Sequence, residues 1–147
     1  MRGTNDVMSK YRNHKCEYKG EIFDSKQEIA RYIELNLLEK AGKIKNIRRQ
    51  VKFELLPAGN GERAVTYTAD FVYDLTKAPT PQKVDKYNIA YFPIMTTVVE
   101  DVKSVATAKC KEYICKRKMF KHFYKNKIFS EYVNGQYTKY SQLKGFN

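Results

Sequence analysis

Residues 65–74, VTYTADFVYD, constrain this chain more than any other stretch. Apolar and aromatic side chains recur at every second position. Only an extended strand turns that period into a continuous face. Tyr67, Ala69, Phe71 and Tyr73 are expected on one side, and Thr68, Asp70 and Val72 on the other. A lone strand is not stable, and the flanking sequence offers partners. Ile44 to Leu56 reads as a second strand closed by Pro57, and the GNGE turn at 59–62 makes the two a hairpin. A third strand is expected over 94–103.

Helical periodicity flanks these strands. In FDSKQEIARYIELNLLEKAGKI, Ser25 and Glu28 have capping-box spacing. Ile29, Ile33, Leu37 and Ala41, broadened by Tyr32 and Leu38, form an apolar stripe expected to face the core. Gly42 sits where a helix C-terminal glycine belongs. A second long helix is expected over about 107–125. KIFSEYVNGQYTKY then reads as a strand with an Asn134-Gly135 hairpin turn. CEYKGEIF, before the first helix, suggests a small hairpin around Gly20. The order is helix, three strands, helix, strand. Residues 1–15 are read as a flexible basic arm, 16–147 as one domain, and 75–93, with three of the four prolines, as a loop.

The chain carries 28 Lys and Arg against 16 Asp and Glu, a net charge of +12. That excess points to a polyanionic partner, with nucleic acid ahead of a membrane surface. No apolar run is long enough for a transmembrane helix. Residues 1–15 contain no apolar segment, so no signal peptide is expected. Three cysteines without a signal suggest free thiols in a reducing compartment. Cys110, Cys115 and His122 fall on different helix faces, with no fourth ligand, so zinc is not expected. The absence of a Gly-rich phosphate loop argues against an ATP-driven enzyme.

The segment TTVVEDVKS, 96–104, begins as a buried strand and then places Glu100, Asp101 and Lys103 together. Asp101 and Lys103 project from one face and Glu100 from the other. If this strand pairs with 65–74, Asp70 and Asp101 converge. Two neighbouring carboxylates repel unless a cation lies between them, and hard oxygen ligands suit Mg2+ or Mn2+. A lysine beside such a cation can orient water and stabilise phosphate charge, which is the chemistry of phosphodiester hydrolysis. Glu28 is a candidate third carboxylate. Each residue also has a structural alternative: Glu28 as a cap, Asp70 as a strand-face polar group, Asp101 with Lys103 as a surface pair.

Asp70 followed on the next strand by EDVK resembles the PD-(D/E)XK nuclease superfamily. Within it, FDSKQEIARYIEL, KFELLPA, YTADFVY and VVEDVKS resemble phage-encoded endonucleases of the Holliday-junction-resolvase-like kind, from about Tyr18 to Phe120. The resemblance implies an α/β restriction-endonuclease-like αβββαβ core, with a mixed central sheet flanked by two helices. It implies a Mg-dependent endodeoxyribonuclease acting on branched or junction DNA in phage replication or recombination, in the cytoplasm of a bacterial host. Mn2+ is expected to substitute, and two cuts at a junction suggest a homodimer. Catalytic residues would be Glu28, Asp70, Asp101 and Lys103, and metal ligands Asp70, Asp101, Glu28 and the Val102 carbonyl. Ala69 stands where the superfamily motif has proline. Glu100 competes with Asp101 for the ligand role if the strand is bulged.

From Lys103 to Lys127 there are nine basic residues and one acid, Glu112. On a helical wheel Lys111, Lys118, Lys121 and Lys125 lie roughly opposite an arc of Tyr113, Phe120, Phe123 and Tyr124, and form a candidate phosphate-tracking stripe. Lys109 and Lys116 fall inside the aromatic arc, where they either snorkel or hold phosphates at the catalytic face. Lys43, Lys45, Arg48, Arg49 and Lys52 form a second basic cluster, with Gln50 a candidate contact to backbone or water near the metal. Two other readings stand beside a nuclease: a catalytically inactive nuclease-fold DNA-binding accessory protein, and a basic phage assembly protein.

Overall fold

The computed structural model describes residues 14–77 and 96–143. Most of the expected arm, the loop from residue 78 and the start of the third strand lie outside the described residues. The chain begins with a hairpin, β1 (Cys16–Tyr18) and β2 (Glu21–Phe23). Lys19 and Gly20 both take positive φ there, as a tight two-residue turn requires. Helix α1 (Lys26–Lys40) follows, then strands β3 (Ile44–Leu56), β4 (Val65–Leu75) and β5 (Thr97–Lys103). Helices α2 (Val105–Ala108) and α3 (Lys111–Phe123) lead to β6 (Ile128–Val133) and β7 (Gln136–Tyr137).

Strands β3 to β7 form one mixed sheet in sequence order. Neighbours are antiparallel except β5 and β6, which run parallel and need the α2–α3 crossover between them. The protein is therefore α/β, with α1 on one face of the sheet and α3 on the other. Val98 and Val102 of β5 pack in the cluster with Leu35 of α1, whereas Val99 packs in the cluster with Tyr113 and Phe120 of α3.

Helix α1 starts as its sequence suggests and buries a partly different face. Ser25 Oγ accepts from the Glu28 N–H at 3.1 Å, but the Glu28 carboxylate reaches the N–H of Asp24, so the capping box is half formed. At the other end Gly42 has φ +72. Its N–H bonds to Glu39 O and that of Lys43 to Leu38 O, a Schellman closure. The expected stripe is only partly inward: Ile29, Tyr32 and Leu38 pack against the core, and the rest of it does not. Leu37 is 59% exposed, Ile33 39%, and Ala41 is exposed, while Glu28, Arg31 and Leu35 are buried. Charge below the helix explains this. Glu100 is fully buried on the same side of the sheet, and Arg31 meets it with two bonds, Nε to Oε2 at 2.8 Å and Nη2 to Oε1 at 2.9 Å. Tyr73 and Ser130 hydroxyls donate to Glu100 Oε1 as well.

The alternation of β4 is also interrupted. Tyr67 and Ala69 pack with α3, whereas Phe71, Tyr73 and Leu75 pack with α1. Strand β3 changes face at the same level: Ile44 and Ile47 lie with the α1 cluster, and Val51, Phe53 and Leu55 with the α3 cluster. Gln50 stands between Arg49↔Phe71 and Val51↔Ala69 with φ +50, a left-handed residue that reorients its strand. The expected helix over 107–125 is two pieces. Ser104 caps α2 by accepting from the Thr107 N–H, the extended Cys110 restarts the chain as α3, and Phe123 is 51% exposed rather than part of the aromatic face. Arg117 takes a buried place on that face, donating to Glu131.

Arg31→Leu leaves a buried, unpaired carboxylate, so urea unfolding should show a loss of about 3–5 kcal/mol. Leu37→Ala, on the exposed side of the same helix, should stay within about 0.5 kcal/mol.

Candidate metal and catalytic site

The β4–β5 ladder runs from Asp74↔Thr97 to Phe71↔Glu100 and ends there. One step further the strands carry Asp70 and Asp101. There the Val102 N–H bonds to Asp70 Oδ2 at 2.9 Å, a carboxylate serving where a backbone carbonyl would continue the sheet. The loss of pairing leaves polar side chains, rather than backbone bonds, between the two strand ends.

Asp101 is fully buried and Asp70 is 6% exposed. The Lys103 ammonium stands between them, 3.5 Å from Asp101 Oδ1 and 3.6 Å from Asp70 Oδ2. Strict alternation along β5 produces this grouping, with Asp101 and Lys103 on the α3 side and Glu100 on the α1 side. The two acids therefore have different surroundings. Glu100 is consumed by Arg31, Tyr73 and Ser130, while Asp101 faces Lys103.

The remaining bonds of the two carboxylates are uneven. Asp70 Oδ1 accepts from Gln50 Nε2 at 3.2 Å. The buried Tyr67 hydroxyl donates to Asp101 Oδ2. Asp101 Oδ1 is buried and accepts no hydrogen bond. Its charge faces the Lys103 ammonium at 3.5 Å, one cation shared by two buried carboxylates. Burial raises the Asp101 pKa to about 7, with Lys103 opposing and Asp70 reinforcing the shift. Glu28 is likewise pushed up to about 7, first by burial and then by the charges of Asp70 and Asp24. For Lys103, burial works to lower the pKa, but Asp101 and Asp70 outweigh it and raise the value.

Among the described residues, no three His, Cys, Asp or Glu side chains group closely enough to hold a metal unaided. Glu28 is thus an electrostatic neighbour of Asp70 rather than part of a three-carboxylate cage. Two carboxylates, one with an unsatisfied oxygen, still fit Mg2+ or Mn2+, which bind through one or two carboxylates and keep several waters.

The expected nucleic-acid contacts divide into free and engaged groups. Lys111, Lys118 and Lys125 on or beside α3 are exposed, as are Lys109 and, near β3, Lys45 and Lys52. Lys116 pairs with Glu112 at 3.2 Å. Lys121 donates to the Tyr140 carbonyl and lies over the Phe129 ring. Arg48 is exposed, with Asp74 at 3.9 Å. Arg49 bonds to Glu21 and the Ile22 carbonyl and covers the Phe23 ring, so it ties the first hairpin to the sheet. Cys110, Cys115 and His122 are exposed, and both thiols are free.

Tyr67 is the site residue that sequence reasoning missed. Regular alternation groups it with Phe71, and it reaches Asp101 because the strand changes face at Asp70.

The chain belongs to a family of proteins of unknown function, DUF1064, whose profile matches residues 8–84. That span includes Glu28, Gln50, Tyr67 and Asp70 and ends before Asp101 and Lys103. Neither a curated protein nor a solved structure matches the chain.

The raised acids set a pH dependence. The folded chain holds protons on Glu28 and Asp101 up to about 7, where the unfolded chain has released them near the ordinary carboxylate values of 4.5 and 3.8. Within that window the folded state binds more protons, so stability without divalent ions falls as pH rises. Melting curves between pH 5 and pH 8 should show this fall, and Asp101→Asn should flatten it. Added Mg2+ should raise the melting temperature most at pH 8.

Proposed function

We propose that the protein is a metal-dependent DNA endonuclease of the PD-(D/E)XK type, cleaving branched or junction DNA during phage replication or recombination inside a bacterial host cell. The observation that carries this reading is the convergence of Asp70, Asp101 and Lys103 where β4 and β5 part, with Asp101 Oδ1 unsatisfied. Mg2+ or Mn2+ held by Asp70, Asp101 and the Val102 carbonyl would supply Lewis acidity toward a phosphodiester.

The chain's own residues divide the remaining work. Gln50 and the Val102 N–H fix the Asp70 carboxylate. Lys103 is held by the two acids, and its ammonium can turn to a phosphate oxygen and to the attacking water. Glu28, with a pKa near 7, is suited to take a proton from that water. The +12 net charge and the exposed lysines beside α3 and β3 supply attraction to the DNA backbone. A homodimer would supply the two cuts that a junction requires.

The deciding experiment incubates the protein with linear duplex, single strand, flap and four-way junction DNA, in Mg2+ or EDTA. Cleavage should need the metal and favour branched substrates. Asp70→Asn and Asp101→Asn should abolish it while DNA binding persists, because removing a carboxylate also removes repulsion of phosphate. Lys103→Ala should lower turnover about 10²–10³-fold with little loss of affinity, as for other preorganised charges at a reacting centre. Glu28→Gln should melt near wild type and lose most activity. DNA binding without cleavage in any of these conditions would identify an inactive accessory protein instead.

The basic face has its own test. Replacing Lys111, Lys118 and Lys125 with Gln should flatten the slope of log K against log salt by about 2–3 on duplex DNA. Lys121→Gln should add little, because its ammonium is already engaged by Tyr140.

A further inference from the structure

We propose that Tyr67 is the residue that sets which cation the site accepts, by restricting Asp101 to one free oxygen. The inference rests on the reading of Asp101 as a cation ligand and goes beyond it.

Tyr67 lies on β4, buried against Phe53 and Phe120, with ring centroids 6.3 Å and 5.1 Å away. Its ring is thus fixed by packing, and its hydroxyl has one described partner, Asp101 Oδ2. Asp101 is fully buried, and its Oδ1 accepts no hydrogen bond and faces the Lys103 ammonium at 3.5 Å. The carboxylate therefore has two unlike oxygens. One is held by a rigid phenol, and the other faces the Lys103 ammonium, which also pairs with Asp70.

An acid held in this way offers a cation one oxygen at a defined direction. Small octahedral ions, Mg2+ and Mn2+, suit single-oxygen carboxylate ligands completed by water. Ca2+ takes six to eight oxygens and commonly uses both oxygens of a carboxylate. Asp70 adds to the restriction, since each of its oxygens already accepts a hydrogen bond, from Gln50 or from the Val102 N–H. Removing the Tyr67 hydroxyl releases Oδ2 and allows Asp101 to bind with both oxygens. Tyr67 is thus a positioning residue that touches no substrate, and its signature is ion preference.

The test is cation binding without DNA, read from the electron paramagnetic resonance of free Mn2+ in titrations, with Ca2+ as competitor. The wild-type chain should prefer Mn2+ to Ca2+. In Tyr67→Phe that preference should narrow by about ten-fold or more, the scale of lost partners behind metal ligands. In Asp101→Asn, Mn2+ binding should be largely lost. If Tyr67→Phe leaves the Mn2+ to Ca2+ ratio unchanged while Asp101→Asn weakens Mn2+, the Tyr67 assignment is wrong and the site stands. If Asp101→Asn binds Mn2+ as tightly as wild type, the site itself is wrong. Should Tyr67→Phe fail to fold, 3-fluorotyrosine placed at position 67 keeps the packing and strengthens the donor. The preference for Mn2+ should then widen, and an unmoved ratio overturns the proposal.

Discussion

Two consecutive acids, Glu100 and Asp101, are both fully buried, on opposite faces of one strand, and much of the molecule is arranged to neutralise them. An ionised carboxylate in a protein interior is tolerated only with charge and hydrogen bonds around it. Glu100 receives a complete set: the fork of Arg31 and the hydroxyls of Tyr73 and Ser130. Asp101 receives an incomplete one, a phenol on one oxygen and a lysine near the other. The first acid fastens α1 to the sheet. The second shares the single Lys103 ammonium with Asp70, so two buried carboxylates face one described cation.

The same logic explains why α1 leaves Ile33 and Leu37 exposed to solvent. Burying Arg31 over Glu100 requires the helix to be rotated so that Glu28, Arg31 and Leu35 point inward. Glu28 thereby comes close enough to Asp70 for each charge to oppose the other. The orientation that satisfies the structural acid therefore brings a third carboxylate to the rim of the candidate site. A comparable network on the other face, in which Arg117 and Tyr113 both donate to Glu131, anchors α3 to β6 and sets the Tyr113 ring beside Lys103.

What was legible in the sequence was local. Ser25, Gly42 and the Asn134-Gly135 pair each act within a few residues, and each sits at the helix end or turn it signals. The period of β5 was legible too, and it separated Asp101 from Glu100 correctly. Other features depend on partners far along the chain. Arg31 is 69 residues from Glu100, so its burial leaves no trace in the helical pattern. The change of face at Gln50 and Asp70 rests on a positive φ at a residue type that seldom adopts one. The break between α2 and α3 contains neither proline nor glycine, and it is set by the Ser104 cap and the extended Cys110. Tyr67 became visible only once that change of face was known.

The left-handed residues in β3 have a further consequence, for how copies of this protein can meet. Strand β3 spans 13 residues at the margin of the sheet, the length of exposed edge that invites intermolecular pairing. Asn46 and Gln50, with φ +57 and +50, break its outward row of amides and carbonyls twice, and Lys45, Arg48 and Lys52 line it with like charge. The opposite margin, β7, is two residues long. Among the described residues the sheet offers a second copy no long regular rail to extend, so backbone zippering is frustrated at both margins and self-association is left to side-chain surfaces.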